Sequence, residues 1–347
     1  MSKDHLDYLD GWRGLAILAV LVGHFTPIPG INLGPFGVEL FFVLSGRLMA
    51  EMLIVRQTPF PTFFLRRFSR IYPALLVFCT AMLIASLFAG MAGIRLPTPV
   101  GFAEFFAALL FAMNYAAALF GMQGVLDHIW SLSVEEHSYA LLALISLLMI
   151  RERTAAALTA ICMALLMMSS GVLQALFTNQ TEHELYWRTD IRAASVFLSF
   201  GLYLMINPRA GKASRFASVI APLAVALATA ANLDALPLWL KYSVGTTLLA
   251  VAINTVDWMS KPLRGALSGK AIIFIGALSY SLYLWQQPFY RIVAFVGWAP
   301  ALAATFVAAL GSYFVVERPA RRFLNEMWAK RAISKIRSDG SNSVEAA

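Results

Sequence analysis

The first apolar segment of the chain carries two side chains suited to anion binding and proton transfer. Arg13 and His24 stand eleven residues apart in the run DGWRGLAILAVLVGHF. Eleven residues make about three helical turns, so both side chains share one helix face, roughly 16 Å apart along its axis. Ionisable residues inside a membrane segment mark a functional site by default. The alternatives are a snorkelling anchor at Arg13 and a hydrogen-bonded interhelical histidine at His24.

Two carboxylates could orient that imidazole. Glu39 lies near the outer end of the second apolar segment, where His24 is also expected, and Glu135 opens a later one. A neighbouring carboxylate orients a histidine and raises its basicity, so we expect Glu39 or Glu135 to do this. Ser45 could be a nucleophile, but no GxSxG turn surrounds it, and its position favours helix packing.

Three arginines stand at the predicted cytoplasmic boundary in FFLRRFSRIYP. Arg67 and Arg70 are three residues apart and share a helix face, with Arg66 beside them. Such a pair suits a phosphate-rich ligand through bidentate contacts. Binding of anionic lipid headgroups, together with setting the topology, is the alternative.

No metal site is predicted. His128 and His137 lie nine residues apart, which is not a zinc-binding pattern, and no cysteine or aspartate cluster accompanies them.

The composition requires that these residues be carried by membrane helices. Of the 347 residues, 59% are hydrophobic and only 13% charged, against about 25% charged in a soluble domain, and the mean hydropathy is +0.70. The net charge of +8 comes from basic residues between apolar runs. This distribution indicates the positive-inside bias of a membrane protein rather than a nucleic-acid partner.

Counting the apolar runs predicts the topology. Eleven runs are candidates for spans: 12–29, 34–55, 71–93, 102–121, 130–150, 155–177, 190–206, 216–233, 238–257, 271–295 and 299–316. If every basic cluster is cytoplasmic, an even number of crossings separates neighbouring clusters. Three runs lie between Arg70 and Arg151, so one of them does not cross. We expect the run 102–121, with Glu104 and Asn114, to be re-entrant or to lie in the outer interface.

The predicted fold is therefore an all-α polytopic integral membrane protein with about ten transmembrane helices and a re-entrant segment. Both termini are expected in the cytoplasm. We divide the chain into a transmembrane domain, residues 1–323, and a polar cytoplasmic tail, residues 324–347. The tail is expected to form a short helix followed by disorder.

Six short motifs occur in an order that resembles the acyltransferase-3 family, the membrane acyltransferases that include bacterial O-antigen and exopolysaccharide O-acetyltransferases. They are DGWRG followed by His24, GVELFFVLSG, the pair Arg67 and Arg70 before IYP, WSLSVEE, SYSLYLW and the closing VERP. Each motif alone is weakly specific. Together they cover nearly the whole chain, from Leu9 to about Phe323.

The resemblance implies an enzyme of the cell inner membrane. It would take an acyl group, most simply acetyl, from cytoplasmic acyl-CoA to a hydroxyl of an extracytoplasmic or lipid-linked glycan. The essential family motif maps onto Arg13 and His24, and the acyl-donor site onto Arg67 and Arg70. His24 would act as a general base or carry the acyl group briefly. Residues of the matching motifs that we assign to substrate binding are Asp10, Trp130, Ser45 and Tyr283.

The chain also departs from the family pattern. Gln286 stands where the family commonly has a histidine after LYLW, and Ala194 where an aspartate often follows. His137 and Ser138 replace Gln-Phe, and Arg47 replaces a bulky apolar residue. These departures leave roles at those positions open. The chain shows no periplasmic esterase-like domain, so the membrane domain is expected to complete the transfer alone.

Two other classes of function remain open at this point. A secondary transporter or flippase of lipid-linked sugars also places charges at mid-membrane, but it would predict inverted repeats, which the sequence does not show. A structural or assembly subunit would predict that His24→Ala is silent. Membrane lipids are expected neighbours in every case, and the oligomeric state does not follow from the sequence.

Overall fold

A computed structural model describes residues 6–96, 98–122, 124–149, 152–181, 184–185, 187–206 and 217–342. Within these ranges the chain is helical, which confirms the all-α prediction, and its extended pairing is limited to isolated bridges of Ile31 with Ile28 and Leu233. The main helices are α1 (Asp7–Phe25), α2 (Leu33–Ala50), α3 (Phe60–Met91), α4 (Phe102–Leu109), α5 (Met113–Phe120), α6 (Trp130–Leu148), α7 (Arg153–Phe177), α8 (Thr189–Ile206), α9 (Ala217–Ala231), α10 (Thr246–Thr255), α11 (Lys261–Leu267), α12 (Lys270–Tyr290), α13 (Trp298–Gly311) and α14 (Arg318–Asn342).

Four helical runs are long and apolar enough to cross a membrane. They are Phe60–Met91, Arg153–Phe177, Thr189–Ile206 and Trp298–Arg331 in the described part of the chain. A fifth is formed if α11 and α12, bent by 49°, make one broken span. α1 has 19 residues but carries Asp10, Arg13 and His24, which lower its hydropathy. The apolar helices support a membrane protein, whereas the number of about ten spans stays a prediction.

α1 packs between α2 and α12 at a separation that only glycine permits. A Cβ on Gly276 of α12 would lie 2.0 Å from the backbone oxygen of Asp10. A Cβ on Gly37 of α2 would lie 2.5 Å from the backbone oxygen of Ala16, and Gly46 meets the backbone of α8 in the same way. Gly37 and Gly46 thus allow close approach of the helix backbones. The polar side chains of α1 are therefore held against both neighbours.

The loop after α1 is tied to the loop after α9. The N–H of Asp234 donates to the carbonyl oxygen of Gly30 at 2.9 Å. Because these loops meet, they lie at one end of the bundle, and this is the end at which His24 stands on α1.

The run 102–121 forms two short helices instead of one. α4 and α5 have eight residues each, or about 12 Å, and Phe111 between them has a φ of 55°. Neither is long enough to cross the ~30 Å hydrocarbon core. This break agrees with the expectation that the run does not cross as one helix, and its placement relative to the membrane stays a prediction.

The tail differs from its expected form. α14 continues to Asn342, so the helix is longer than the short one predicted. It is joined to α13 through a wide π-helical turn at Ser312–Glu317. The segment 343–347, for which disorder was predicted, and the predicted loop residues Arg151, Arg209, Lys212 and Arg215 lie outside the described residues.

Candidate functional site

A partly open cavity lies between α1, α2, α3, α6 and α12. α2 supplies most of its apolar wall. Its polar lining residues are Arg13, Ser45, Arg67, Arg70, Ser131, Glu135, Tyr139, Ser279, Tyr280 and Tyr283. Six of the residues predicted from sequence are thus brought together: Arg13, Ser45, Arg67, Arg70, Glu135 and Tyr283.

Arg67 is held in place by α6. Its Nη2 lies 3.0 Å from Glu136 Oε1 and 3.7 Å from Glu135 Oε2. Its guanidinium carbon lies 4.0 Å from the ring centre of Tyr139. Two carboxylates and an aromatic face therefore balance its charge inside the protein. Arg67 consequently has less capacity for an added phosphate than the sequence suggested.

Arg70 differs from Arg67 in having no ion-pair partner among the residues that the structure describes. The strongest electrostatic influence on it is the positive charge of Arg13, which Glu317 opposes. Arg13 itself is paired with Asp10, with 2.7 Å between Nη1 and Oδ1. Two guanidinium groups close together in a medium of low dielectric constant repel each other. An anionic ligand between Arg13 and Arg70 would relieve this repulsion.

Glu135 belongs to the arginine end of the cavity. It accepts a hydrogen bond from Ser45 Oγ at 2.5 Å on the side away from Arg67. It does not contact His24, so the expectation that Glu135 orients the imidazole is corrected. The reason is that α6 presents Glu135 to α2 and α3, not to the end of α1.

The other end of the cavity is formed by Tyr283 and Ser131. Their hydroxyl groups lie 2.6 Å apart, and the Tyr283 hydroxyl also donates to the carbonyl oxygen of His128 at 2.7 Å. These bonds join α12 to the start of α6. Tyr283, predicted to bind substrate, therefore presents a fixed polar group to the cavity.

His24 stands near the end of α1, away from Arg13. Its Nδ1 lies 2.7 Å from Oε1 of Gln286, and its ring stacks on Tyr290 with 4.7 Å between centroids. α2 comes close on the other side, since a Cβ on Gly34 would lie 3.6 Å from His24 Nε2. Within the described ranges Nε2 has no hydrogen-bond partner. One ring nitrogen is thus engaged and the other is available.

The cavity reaches to within about one helical turn of the residues that contact His24. Val38 lines the cavity, and Gly34 is four residues earlier in α2, about 6 Å along the axis. On α12, Tyr283 lines the cavity, and Gln286 follows three residues later, about 4.5 Å on. Arg13 and His24 therefore lie about three helical turns apart on α1, and the cavity extends from the arginines to about one turn short of the residues that contact His24.

Glu39 has a different partner from the one expected. Its carboxylate forms an ion pair with Arg192 of α8, with 2.6 Å between Oε2 and Nη1, and both side chains are only 2% exposed. It also accepts hydrogen bonds from Ser195 and Thr246. Because this carboxylate turns towards α8 and α10, the expectation that Glu39 orients His24 is corrected.

Two further predicted residues lie outside the cavity. Arg66 is exposed on the outer side of α3, so the structure does not group it with Arg67 and Arg70. Trp130 stacks on Trp187 with 5.7 Å between ring centroids and lies 5.8 Å from the Arg192 guanidinium. Asp10 contributes to the cavity indirectly, through its ion pair with Arg13.

Sequence reasoning missed three residues that the structure makes prominent. Gln286 is the hydrogen-bond partner of His24, Glu136 is the closer partner of Arg67, and Arg192 neutralises Glu39. Gln286 was noted only as a departure from a family pattern. The available signal was its polar character at a buried helix position, since buried polar side chains need partners.

Comparison with known proteins gives a consistent result. A family model described as an acyltransferase domain matches residues 6–316. The peptidoglycan O-acetyltransferase OatA of Listeria monocytogenes is 28% identical over 362 residues, covering 93% of this chain and 57% of the relative. The O-acetyltransferase OatA of Staphylococcus aureus is 25% identical over 358 residues, covering 92% and 58%.

A putative O-acetyltransferase of Staphylococcus aureus is 25% identical over 357 residues, covering 90% of this chain and 57% of the relative. The chain therefore spans less than three fifths of the length of these relatives. No solved structure matches the chain significantly.

Proposed function

Since the chain belongs to the acyltransferase family whose domain model matches residues 6–316, we propose that it is a membrane O-acetyltransferase. It takes an acetyl group from acyl-CoA on the cytoplasmic side. It delivers that group to a hydroxyl of a glycan on the opposite side of the membrane.

One observation carries this proposal: Arg70 and His24 lie near opposite ends of α1, and among the described residues Arg70 has no ion-pair partner and His24 Nε2 has no hydrogen-bond partner. The eleven residues from Arg13 to His24 correspond to roughly 16 Å of helix. That length is about half of the ~30 Å hydrocarbon core. A donor held at the arginines and an acceptor held at His24 can therefore meet inside the bundle.

The chemistry of acyl-CoA fits the cavity. Its phosphates are anionic and would bind between Arg70 and Arg13, with Arg67 contributing through its remaining N–H groups. The arm that carries the thioester is uncharged and would follow the apolar wall of α2. Tyr283 and Ser131 mark the end of the cavity towards which the thioester would extend.

The proposed step uses His24 as the general base. Nε2 removes the proton of the acceptor hydroxyl while the hydroxyl oxygen attacks the acyl carbonyl carbon. A C–O ester bond forms and the C–S bond breaks. The thiolate leaves with the electron pair of the C–S bond and takes up the proton that the imidazolium returns. Transient acylation of Nε2 is the alternative route to the same ester.

The acceptor is proposed to be an envelope glycan. The name of the Listeria monocytogenes relative specifies peptidoglycan, which makes the sugar hydroxyls of peptidoglycan the first acceptor to assay. The O-antigen and exopolysaccharide acceptors suggested by the motifs come next. We further propose about ten spans in the cytoplasmic membrane with both termini inside, because the basic residues alternate with the apolar runs in that way.

The test is acyl transfer in a strain that lacks the chromosomal copy of the protein. Wild type, His24→Ala and a matched histidine control, His137→Gln, are expressed, and ester-linked acyl groups on envelope glycans and glycolipids are measured by mass spectrometry. His137 contacts Thr189, not the proposed site, so its variant should acylate normally. Full acylation by His24→Ala would remove the catalytic assignment. No acylation by wild type would overturn the proposed function.

A further inference from the structure

A chain of side-chain hydrogen bonds connects His24 to the far end of α12. His24 Nδ1 meets Gln286 Oε1 at 2.7 Å, and Gln286 Nε2 meets Gln287 Oε1 at 3.3 Å. Gln287 Nε2 then meets Asp127 Oδ1 at 2.8 Å, and the other oxygen of Asp127 pairs with Arg291 at 2.6 Å. Gln286 is fully buried and Gln287 nearly so. This series of hydrogen bonds therefore lies inside the protein.

Asp127 determines the direction of every bond in this chain. A carboxylate held by Arg291 is ionised and can only accept, so the amide nitrogen of Gln287 must point to it. The amide oxygen of Gln287 then faces Gln286 and requires a donor. The amide nitrogen of Gln286 meets that need, which turns its oxygen towards His24. An amide oxygen accepts only, so the proton of the neutral imidazole must be on Nδ1.

We propose that Gln286 is a positioning residue that fixes His24 as the Nδ1–H tautomer, with the direction of its amide set through Gln287 by Asp127. The Nε2 lone pair is then directed to the space beside Gly34. The catalytic consequence rests on the proposed function, since Nε2 would receive the proton of the acceptor hydroxyl. The tautomer itself is a property of the protein alone.

Among the residues that the structure describes, the other groups around His24 do not supply an alternative acceptor for Nδ1. Tyr290 stacks on the ring face, and α2 presents Gly34, which has no side chain. The charged and titratable groups that act on the site are Arg291, from the end of α12, and His128, from the turn before α6. Neither contributes a carboxylate to the imidazole. Gln286 is therefore the group that decides between the two tautomers.

The direct test is the tautomeric state of His24, measured by NMR on ¹⁵N-histidine-labelled full-length protein in nanodiscs. The chain has five histidines, and the His24 signals are assigned by their loss in His24→Gln. Wild type should show the Nδ1–H tautomer at neutral pH. Gln286→Leu, which removes the acceptor, should shift His24 to Nε2–H. Asp127→Asn, which frees the amides to reverse, should give a mixture.

An Nε2–H tautomer in wild type would overturn the proposal, whatever the variants do and whether or not they fold. This measurement needs no substrate. If wild type shows Nδ1–H but acylates nothing, the positioning role stands and the proposed function fails. The two ideas are thus separated.

Kinetics provide the second measurement. Gln286→Leu should lower kcat by roughly 10²- to 10⁴-fold, the usual contribution of a general base, with KM for acetyl-CoA unchanged. Gln286→Glu keeps an acceptor for Nδ1 and should recover much of the activity. Its added negative charge should move the acidic limb of the pH–rate profile to higher pH, because it stabilises the imidazolium.

The matched control is Gln174→Leu. Gln174 contacts Ser170 and Arg188 on α7 and its following loop, so this change should leave both tautomer and kcat unaltered. Equal losses in Gln286→Leu and Gln286→Glu, with no change in the shape of the pH profile, would reduce Gln286 to a packing residue.

Discussion

Glu39 of α2 and Arg192 of α8 form a buried ion pair, in which each side chain is only 2% exposed. Ser195 and Thr246 donate to the same carboxylate. Removing one partner of such a pair leaves an uncompensated charge. These contacts give Glu39 a structural role, in which it joins α2 to α8 and α10.

We expect Glu39→Gln to destabilise the fold by about 3–5 kcal/mol, the usual cost of breaking a buried pair. Thermal unfolding of the purified protein in detergent measures this loss. Turnover per folded molecule should change little well below the transition. Addition of Arg192→Met to the Glu39→Gln variant should restore part of the stability. Normal stability with abolished turnover would instead support the catalytic role that the sequence suggested.

Arg70→Ala should weaken binding of CoA by roughly 10- to 100-fold, the contribution of a hydrogen bond to a charged group. The folded state should lose little stability, because Arg70 has no ion pair in the described structure to lose. Calorimetric titration of CoA into the detergent-solubilised protein measures the affinity. Arg66→Ala is the matched control, since Arg66 is exposed and outside the cavity. Equal weakening by both variants would indicate nonspecific attraction of the phosphates.

Arg67→Ala should behave differently from Arg70→Ala. It removes the positive charge between Glu135 and Glu136 and the contact with Tyr139. The two carboxylates would then repel each other in a site of low dielectric constant. The midpoint of thermal unfolding should therefore fall for Arg67→Ala and not for Arg70→Ala. Unchanged stability in Arg67→Ala would show that α6 does not depend on this ion pair.

Ser45→Ala tests the nucleophile hypothesis. Ser45 Oγ donates to Glu135, so its loss should reduce turnover by no more than roughly 10-fold, about the value of one hydrogen bond. Single-turnover assays with radiolabelled acetyl-CoA should show no label on the serine of wild type. Complete loss of activity together with a labelled Ser45 in wild type would make it the acyl carrier.

Gly276→Ala should separate α1 from α12. Its Cβ would stand 2.0 Å from the backbone oxygen of Asp10, and overpacking of this kind costs about 1–3 kcal/mol. Both stability and acyl transfer should fall, because the same two helices carry His24 and Gln286. Gly90→Ala in α3 is the control, since nothing lies within 4 Å of the added atom. Its stability should be unchanged or higher by up to ~1 kcal/mol.

The sequence predicted those features that depend on local pattern. Apolar runs and basic loops indicated a helical membrane protein, and charge parity identified the run 102–121, which breaks into two short helices. Polar residues in apolar segments pointed to Arg13, Ser45 and Glu135, and the resemblance to a family motif pointed to Tyr283; the cavity brings these four together. These signals need only the periodicity of a helix and the cost of polar groups in an apolar medium.

The pairing of those residues could not be predicted. His24 and Gln286 are 262 positions apart, and Glu39 and Arg192 are joined through helices that the sequence does not order in space. The sequence predicted that Glu39 and His24 lie at the same depth in the membrane. Equal depth does not show that two side chains are in contact, because the direction around the helix axis decides which neighbour a side chain meets. Gly34 is the residue of α2 that faces His24, and Glu39, five residues later, points about 140° away from it around the helix axis.

The wide turn at Ser312–Glu317 holds one residue more than regular α-helical geometry would accommodate. Deleting a single residue there would restore the regular geometry and leave α14 on nearly its present face, because the wide turn already absorbs the extra residue. Deleting one residue from the regular helix α13 would instead rotate α14 by about 100°. Glu317 would then lose its hydrogen bond from Ser281, and the basic side chains Arg318, Arg321 and Arg322 would face another side of the bundle. The wide turn is thus a place where the chain can change its length without redirecting the tail.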